Sequence, residues 1–266
     1  MPRLLITIIN LENMDSSNKI SRREAVKKMG AVAATAAISM SGVGALASCA
    51  ETVAAGLDRP LKVLLLNGSP RRNGNTFTLL SEIASQLNKN KIESEIFQLG
   101  NRPIRGCVAC GQCHAKGLDK CVFDDDVCNQ IAEKLATCDA LVVGSPVYYG
   151  MPAGQVLSVL QRLGYSAGKY MQGKPAAAVT VCRRGGATSA FQALQMAFQM
   201  LNMPIVTSQY WNIGYGAAPG EVAKDEEGLQ TMRTLADNLA YMLTQFATGT
   251  AKPPKREQWK MTNFIR

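Results

Sequence analysis

Apolar positions along the chain form short runs separated by amphipathic stretches. Residues 61–67, LKVLLLN, are continuously apolar, as a strand buried on both faces requires. In the next stretch, Phe77, Leu79, Leu80, Ile83, Ala84 and Leu87 recur at helical spacing over 76–88. IESEIFQL (92–99) alternates and predicts a weaker strand, and a helix is expected around 126–137. ALVVGSP (140–146) and PAAAVTVC (175–182) read as two further buried strands, each leading through a loop into a helix. MPIVTSQYW (203–211) predicts a fifth strand, and 229–246 a long terminal helix. Strands alternating with helices imply βαβ units, a parallel sheet and right-handed crossovers.

Five such strands fit the order 2-1-3-4-5. The expected fold class is therefore α/β, a flavodoxin-like three-layer sandwich with a cysteine-rich insertion after the second strand. Folds of this kind bind ligands at the carboxyl ends of the strands, where strand order reverses. The loops predicted there are 68–76, 145–154 and 182–188. The domain is expected over 61–250, with a linker at 50–60 and a tail at 251–266. The tail is basic and broken by prolines; it carries Trp259 and Phe264, and is expected to pack along a neighbouring subunit or to stay without structure.

The first 49 residues differ from the rest. Ser21-Arg22-Arg23 followed by Lys27 precedes a short Ala-rich apolar stretch and resembles a twin-arginine export signal. Leu46-Ala47-Ser48-Cys49 resembles a lipobox, whose Cys49 would be lipidated and attach the protein to a membrane. These features place the protein outside the cytoplasm, facing the periplasm or cell exterior; a cytoplasmic location is the alternative. The twin-arginine route carries folded proteins and suits one that acquires its cofactors first. The formal charge is +9, of which the leader holds +3. The remaining excess reads as a solvated basic surface. No aromatic-interleaved basic stripe or nucleic-acid motif is present, so no nucleic-acid partner is expected.

The candidate chemistry lies in the loops. Gly68-Ser69-Pro70-Arg71-Arg72-Asn73-Gly74-Asn75-Thr76 ends a strand and opens a helix, an arrangement whose N–H groups and hydroxyls can cradle a phosphate. It lacks the G-K-[ST] ending of a Walker loop and is not G-x-G-x-x-G. Pro146-Val147-Tyr148-Tyr149-Gly150 sets two tyrosines where they can flank a flat ring. Arg183-Arg184-Gly185-Gly186 offers guanidinium groups able to stabilise an anionic reduced flavin.

Cys107, Cys110, Cys113 and Cys121 form a C-x2-C-x2-C-x7-C run. Neighbours this close seldom form disulfides without strain. Soft thiolates select zinc or an iron–sulfur cluster. A [4Fe–4S] cluster leads, with free or bridged thiols and a single zinc ion as alternatives. Cys128, Cys138 and Cys182 read as small buried apolar residues. The single histidine, His114, reads as a surface residue.

Together NGSPRRNGNT, the cysteine run, GSPVYYGMPAG and CRRGGATSAF resemble the NADPH-dependent FMN reductase family, and within it the iron–sulfur flavoproteins, over about 61–247. The resemblance implies FMN, with Ser69, Arg71, Asn73, Asn75 and Thr76 at its phosphate. Pro146, Val147, Tyr148, Tyr149 and Gly150 would line the isoalloxazine, and Arg183, Gly185 and Gly186 would close its far side. The cysteines would hold the cluster. It also implies a homo-oligomer that moves electrons between NAD(P)H or a protein donor and a small acceptor; the alternative is an electron-carrier or binding module without turnover. No side chain is singled out as an obligatory acid or base, because the flavin performs the chemistry.

Overall fold

A computed structural model describes residues 59–251 and a few positions of the tail beyond. The export leader, the lipobox at Cys49, nearly all of the 50–60 linker and most of the tail lie outside the described residues. Five parallel strands form the sheet: β1 (Lys62–Asn67), β2 (Glu93–Gln98), β3 (Ala140–Tyr148), β5 (Ala176–Cys182) and β6 (Ile213–Tyr215), in the order β2-β1-β3-β5-β6. A two-residue strand, β4 (Met151–Pro152), folds back antiparallel on the end of β3 and was not expected. Counting parallel strands alone, the order is 2-1-3-4-5.

Period-two alternation along the strands divides the core between the two faces of the sheet. Leu64, Leu66, Leu141, Val143, Ala176 and Ala178 face one side. There they meet α3 (Cys128–Thr137), α4 (Gly154–Ser166) and α5 (Ala187–Met200). Their neighbours Val63, Leu65, Val142, Ala177 and Val179 face α1 (Asn75–Lys89) and α6 (Glu226–Thr248) on the other. The middle strands are buried on both faces, which is why they read as unbroken apolar runs.

The fifth strand forms later than its apolar pattern indicates. From 203–211 only Ile205 bridges to the sheet, at Ala176. The chain then leaves the ladder. Ser208 Oγ sits 2.7 Å from Asn212 Oδ1, and the buried Asn212 side chain donates to the Ala178 carbonyl at 3.0 Å. A side-chain amide thus serves β5 where a strand backbone was expected. Tyr210 and Trp211 are left exposed, and regular pairing resumes only at Ile213.

The terminal helix begins three residues before the apolar pattern, because Asp225 caps it by accepting from the Gly228 N–H at 2.9 Å. Conversely, Asp126 stays outside α3 and accepts from the Cys128 N–H at 3.0 Å. None of the described helices is long and apolar enough to cross a membrane.

Candidate functional site

Two sites emerge, one at the carboxyl edge of the sheet and one on the flank of α4. The first is built on register. Asn67 and Gln98 are cross-strand partners at the ends of β1 and β2. Asn67 Nδ2 donates to Gln98 Oε1 at 2.6 Å, and Asn67 Oδ1 accepts from the Ser69 N–H at 3.1 Å. Gln98 Nε2 returns to the Ser69 carbonyl at 2.6 Å. Ser69 Oγ in turn accepts from the Arg71 N–H at 3.1 Å. These bonds pin the 68–74 loop from below.

At its end, Gly74 precedes α1 with no side-chain cap and no acidic residue in the first turn. The first N–H groups of a long helix are thereby left open toward a phosphate. Gly68 admits no side chain: a Cβ there would lie 2.1 Å from Val156 Cγ2 and 2.8 Å from the Gly144 oxygen.

A groove of about 220 Å³ opens above this loop. Ser69, Arg71, Asn75, Thr76, Pro146, Val147, Tyr148 and Arg183 all line it. The other expected residues do not border it. Asn73 is exposed on the loop crest, and Tyr149 is fully exposed. Tyr149 and Gly150 are the central pair of the β3–β4 hairpin, with φ of +50° and +78°. Both values are positive, as the tightest hairpin turns require.

Gly186, with φ +85°, packs against that turn so closely that a Cβ would sit 2.8 Å from Gly150 Cα. Ser189 Oγ donates to the Gly150 carbonyl at 2.6 Å. Gly150 and Gly186 therefore fasten the second loop to the third, while exposed Gly185 lies beside them.

The groove also has a wall missed in the sequence, Gly216 and Ala217 after β6, together with Cys182. Asn75 fixes that wall by donating to the Ala218 carbonyl at 2.9 Å and accepting from the Val222 N–H. The GYGAAPG segment carried the signal, which the misplaced fifth strand concealed.

The second site is the cysteine segment. Cys107, Cys110, Cys113 and Cys121 all border one cavity of about 20 Å³, and all four are free thiols. Ala109 and Gly111 have φ of +51° and +66°, turning the chain sharply on both sides of Cys110. Cys113 is buried in a single helical turn, α2 (Gln112–Ala115); Cys107 and Cys110 are exposed. Cys121 is held by a residue not foreseen. The buried Asn129 accepts from the Cys121 N–H at 2.9 Å and donates to its carbonyl at 3.0 Å.

Among the described residues, no three His, Cys, Asp or Glu side chains are gathered closely enough to grip one metal ion. The thiols share a cavity but stand around it. His114 is exposed and rests edge-on against Tyr165, 4.8 Å between centroids. Cys128, Cys138 and Cys182 are buried, and burial pushes each thiol up, Cys128 to about 12. They stay protonated and unreactive.

The remaining wall of this cavity includes Arg162, which is 1% exposed. Its guanidinium pairs with Asp126 and donates through Nη2 to the Phe123 carbonyl at 2.9 Å, while Nε has no partner. Four soft donors and an unpaired buried cationic N–H suit an anionic metal–sulfur group. No residue borders both this cavity and the groove.

An open parallel sheet whose phosphate-type loop and groove lie at the strand-order reversal defines a flavodoxin-like cofactor-binding protein. The profile of the NADPH-dependent FMN reductase family matches residues 61–218. An iron–sulfur flavoprotein of Methanocaldococcus jannaschii is 32% identical over 190 residues, 68% of this chain and 96% of the relative. Another from Methanosarcina thermophila is 27% identical over 187 residues, covering 69% and 95%.

The chain belongs to the NADPH-dependent FMN reductase family, in its iron–sulfur flavoprotein branch, and is an FMN-dependent oxidoreductase. Two solved structures share the fold. A flavone reductase aligns with TM-score 0.55 and 15% identity over 72% of this chain and 66% of its own. The NAD(P)H:acceptor oxidoreductase FerB of Paracoccus denitrificans aligns at 0.51 and 16%, over 70% and 98%.

Proposed function

We propose that this protein couples FMN to a [4Fe–4S] cluster and moves electrons from NAD(P)H or a protein donor to a small acceptor. The observation that carries the reading is that all four thiols of the cysteine run border one cavity. Bound FMN accepts hydride or single electrons, and a bound cluster exchanges single electrons only. The chain's own residues do the rest.

The open N–H groups of α1, with Ser69 and Thr76, hold the phosphate, Asn75 fixes the wall beside them, and Arg71 adds charge. Pro146, Val147 and Tyr148 form the apolar wall for the ring, with Tyr149 and Gly150 shaping the loop. Arg183, which lines the groove beside the turn of Gly185 and Gly186, would favour a reduced anionic ring by its charge. Cys107, Cys110, Cys113 and Cys121 ligate the cluster.

Because no residue borders both cavities, a homo-oligomer that brings one subunit's cysteine segment to another's groove would shorten the electron path. The leader and Cys49 favour a lipid-anchored, exported protein, and nicotinamide is scarce outside the cytoplasm. A protein donor fits that location best.

Anaerobic purification followed by flavin, iron and sulfide analysis tests the assignment. FMN at one per chain with about four iron and four sulfide is expected. Zinc in place of iron, or flavin with neither, would contradict it.

A further inference from the structure

We propose that Arg162 is the residue that sets the reduction potential of the group held by the four cysteines, by directing its fixed positive charge and its free Nε–H at that group. This rests on the cluster reading above.

The inference comes from an imbalance in the structure. Arg162 lies on the inner face of α4, level with Val159 and Leu163, where an apolar residue is the ordinary choice. It is among the largest fully buried side chains of the protein. A guanidinium cannot lose its proton, so the charge is permanent. Burying one is costly unless its donors are satisfied.

Asp126 supplies one counter-charge, and the Phe123 carbonyl and the more distant Arg105 carbonyl accept from the terminal nitrogens. Nε is left over, the single buried side-chain nitrogen or oxygen among the described residues without a partner. The side chain belongs to the wall of the cysteine cavity, which it shares with Cys121.

Four thiolates around a cuboidal cluster carry net negative charge in both oxidation states, and more after reduction. A fixed cation and an N–H donor therefore favour the reduced form. Charge, hydrogen bonds to sulfur and exposure are the protein's means of adjusting such potentials. The step involved is one electron in from a reduced flavin or, in the test, from dithionite. No bond forms or breaks, and no proton moves. Asp126 opposes the effect by partly neutralising Arg162, so the pair acts as an adjustable charge rather than a simple brace.

The test is an anaerobic redox titration of the full-length holoprotein, following the cluster by electron paramagnetic resonance. Arg162→Met is expected to lower the ratio of reduced to oxidised cluster at a given potential by at least tenfold, about 59 mV for one electron. Asp126→Asn is expected to shift it the other way. Arg162→Lys, which keeps the charge but loses the planar Nε–H, should fall between wild type and Arg162→Met. A brace alone would lower thermal stability and iron content without moving the potential of the clusters retained.

If Arg162→Met does not fold, Asp126→Asn and Arg162→Lys still decide the matter. An unchanged midpoint in both, at full iron content, overturns the inference and leaves the cluster reading intact. Wild-type protein without iron and sulfide would overturn both.

Discussion

Asn67 and Gln98 face each other at the last register position of β1 and β2, and their side chains bond at 2.6 Å. Between them they hold both the N–H and the carbonyl of Ser69, so the phosphate loop is fixed by two amides that never border the groove. Losing one such partner from a buried network costs about 1–3 kcal/mol. Asn67→Ala is expected to raise the FMN dissociation constant about tenfold or more, read by quenching of flavin fluorescence, with the far-ultraviolet spectrum unchanged. An unaltered constant would mean that the loop holds its shape unaided.

Gly68 tests the packing beneath the same loop. A methyl group there meets Val156 at 2.1 Å and a backbone oxygen at 2.8 Å. Overpacking of this kind costs about 1–3 kcal/mol. Gly68→Ala should lower the urea midpoint by a corresponding amount. Combined with Val156→Ala it should lose less than the two single changes added together, because the methyl clash is relieved while the carbonyl contact remains.

Asn129 brackets the backbone of Cys121, whereas the adjacent Cys128 is a buried thiol pushed up to about 12. Asn129→Ala is expected to reduce bound iron severalfold without removing a thiol. Cys128→Ala is expected to leave iron content near that of the parent. Iron analysis on anaerobically prepared variants checks both; loss of iron in Cys128→Ala would make that residue a ligand.

Far from both sites, Asp139 is half-buried and accepts from Arg59 at 2.5 and 2.9 Å and from the Lys62 N–H at 2.8 Å. Burial alone would raise its pKa, but these bonds and the Arg59 charge hold it below the usual carboxylate range. A carboxyl with a depressed folded-state pKa contributes stability that is complete above about pH 4 and lost as pH falls through the lower folded value. Asp139→Asn should therefore flatten the acid limb of the stability curve as pH falls below about 4, while being less stable than the parent at pH 7. Denaturant titrations across that range measure it.

Much of the fold was legible because β1, β3 and β5 are buried on both faces and are mostly apolar along their length. That four cysteines gather on one segment was legible from spacing, and the groove loops from glycine and hydroxyl clusters after strands. The rest depended on single polar residues in apolar settings. Asn212 substitutes for a strand partner and displaced the fifth strand, hiding Gly216 and Ala217 behind it. Arg162 stands in the apolar stripe of α4, and Asn129 in that of α3. Each was a local exception to helical patterning, and its meaning depends on a segment outside its own helix: Cys121 for Asn129, Asp126 and Phe123 for Arg162. Pattern reading assigns such positions to the core, and only packing shows what they hold.

The central claim, that one chain carries both a flavin and a cluster in electronic communication, is tested most directly by an anaerobic reductive titration that counts electrons to full bleaching. FMN takes two electrons and a [4Fe–4S] cluster one, so about three per chain are expected, with flavin and cluster signals sharing one equilibrium. An end point at about two electrons, with flavin bands alone changing, would contradict it.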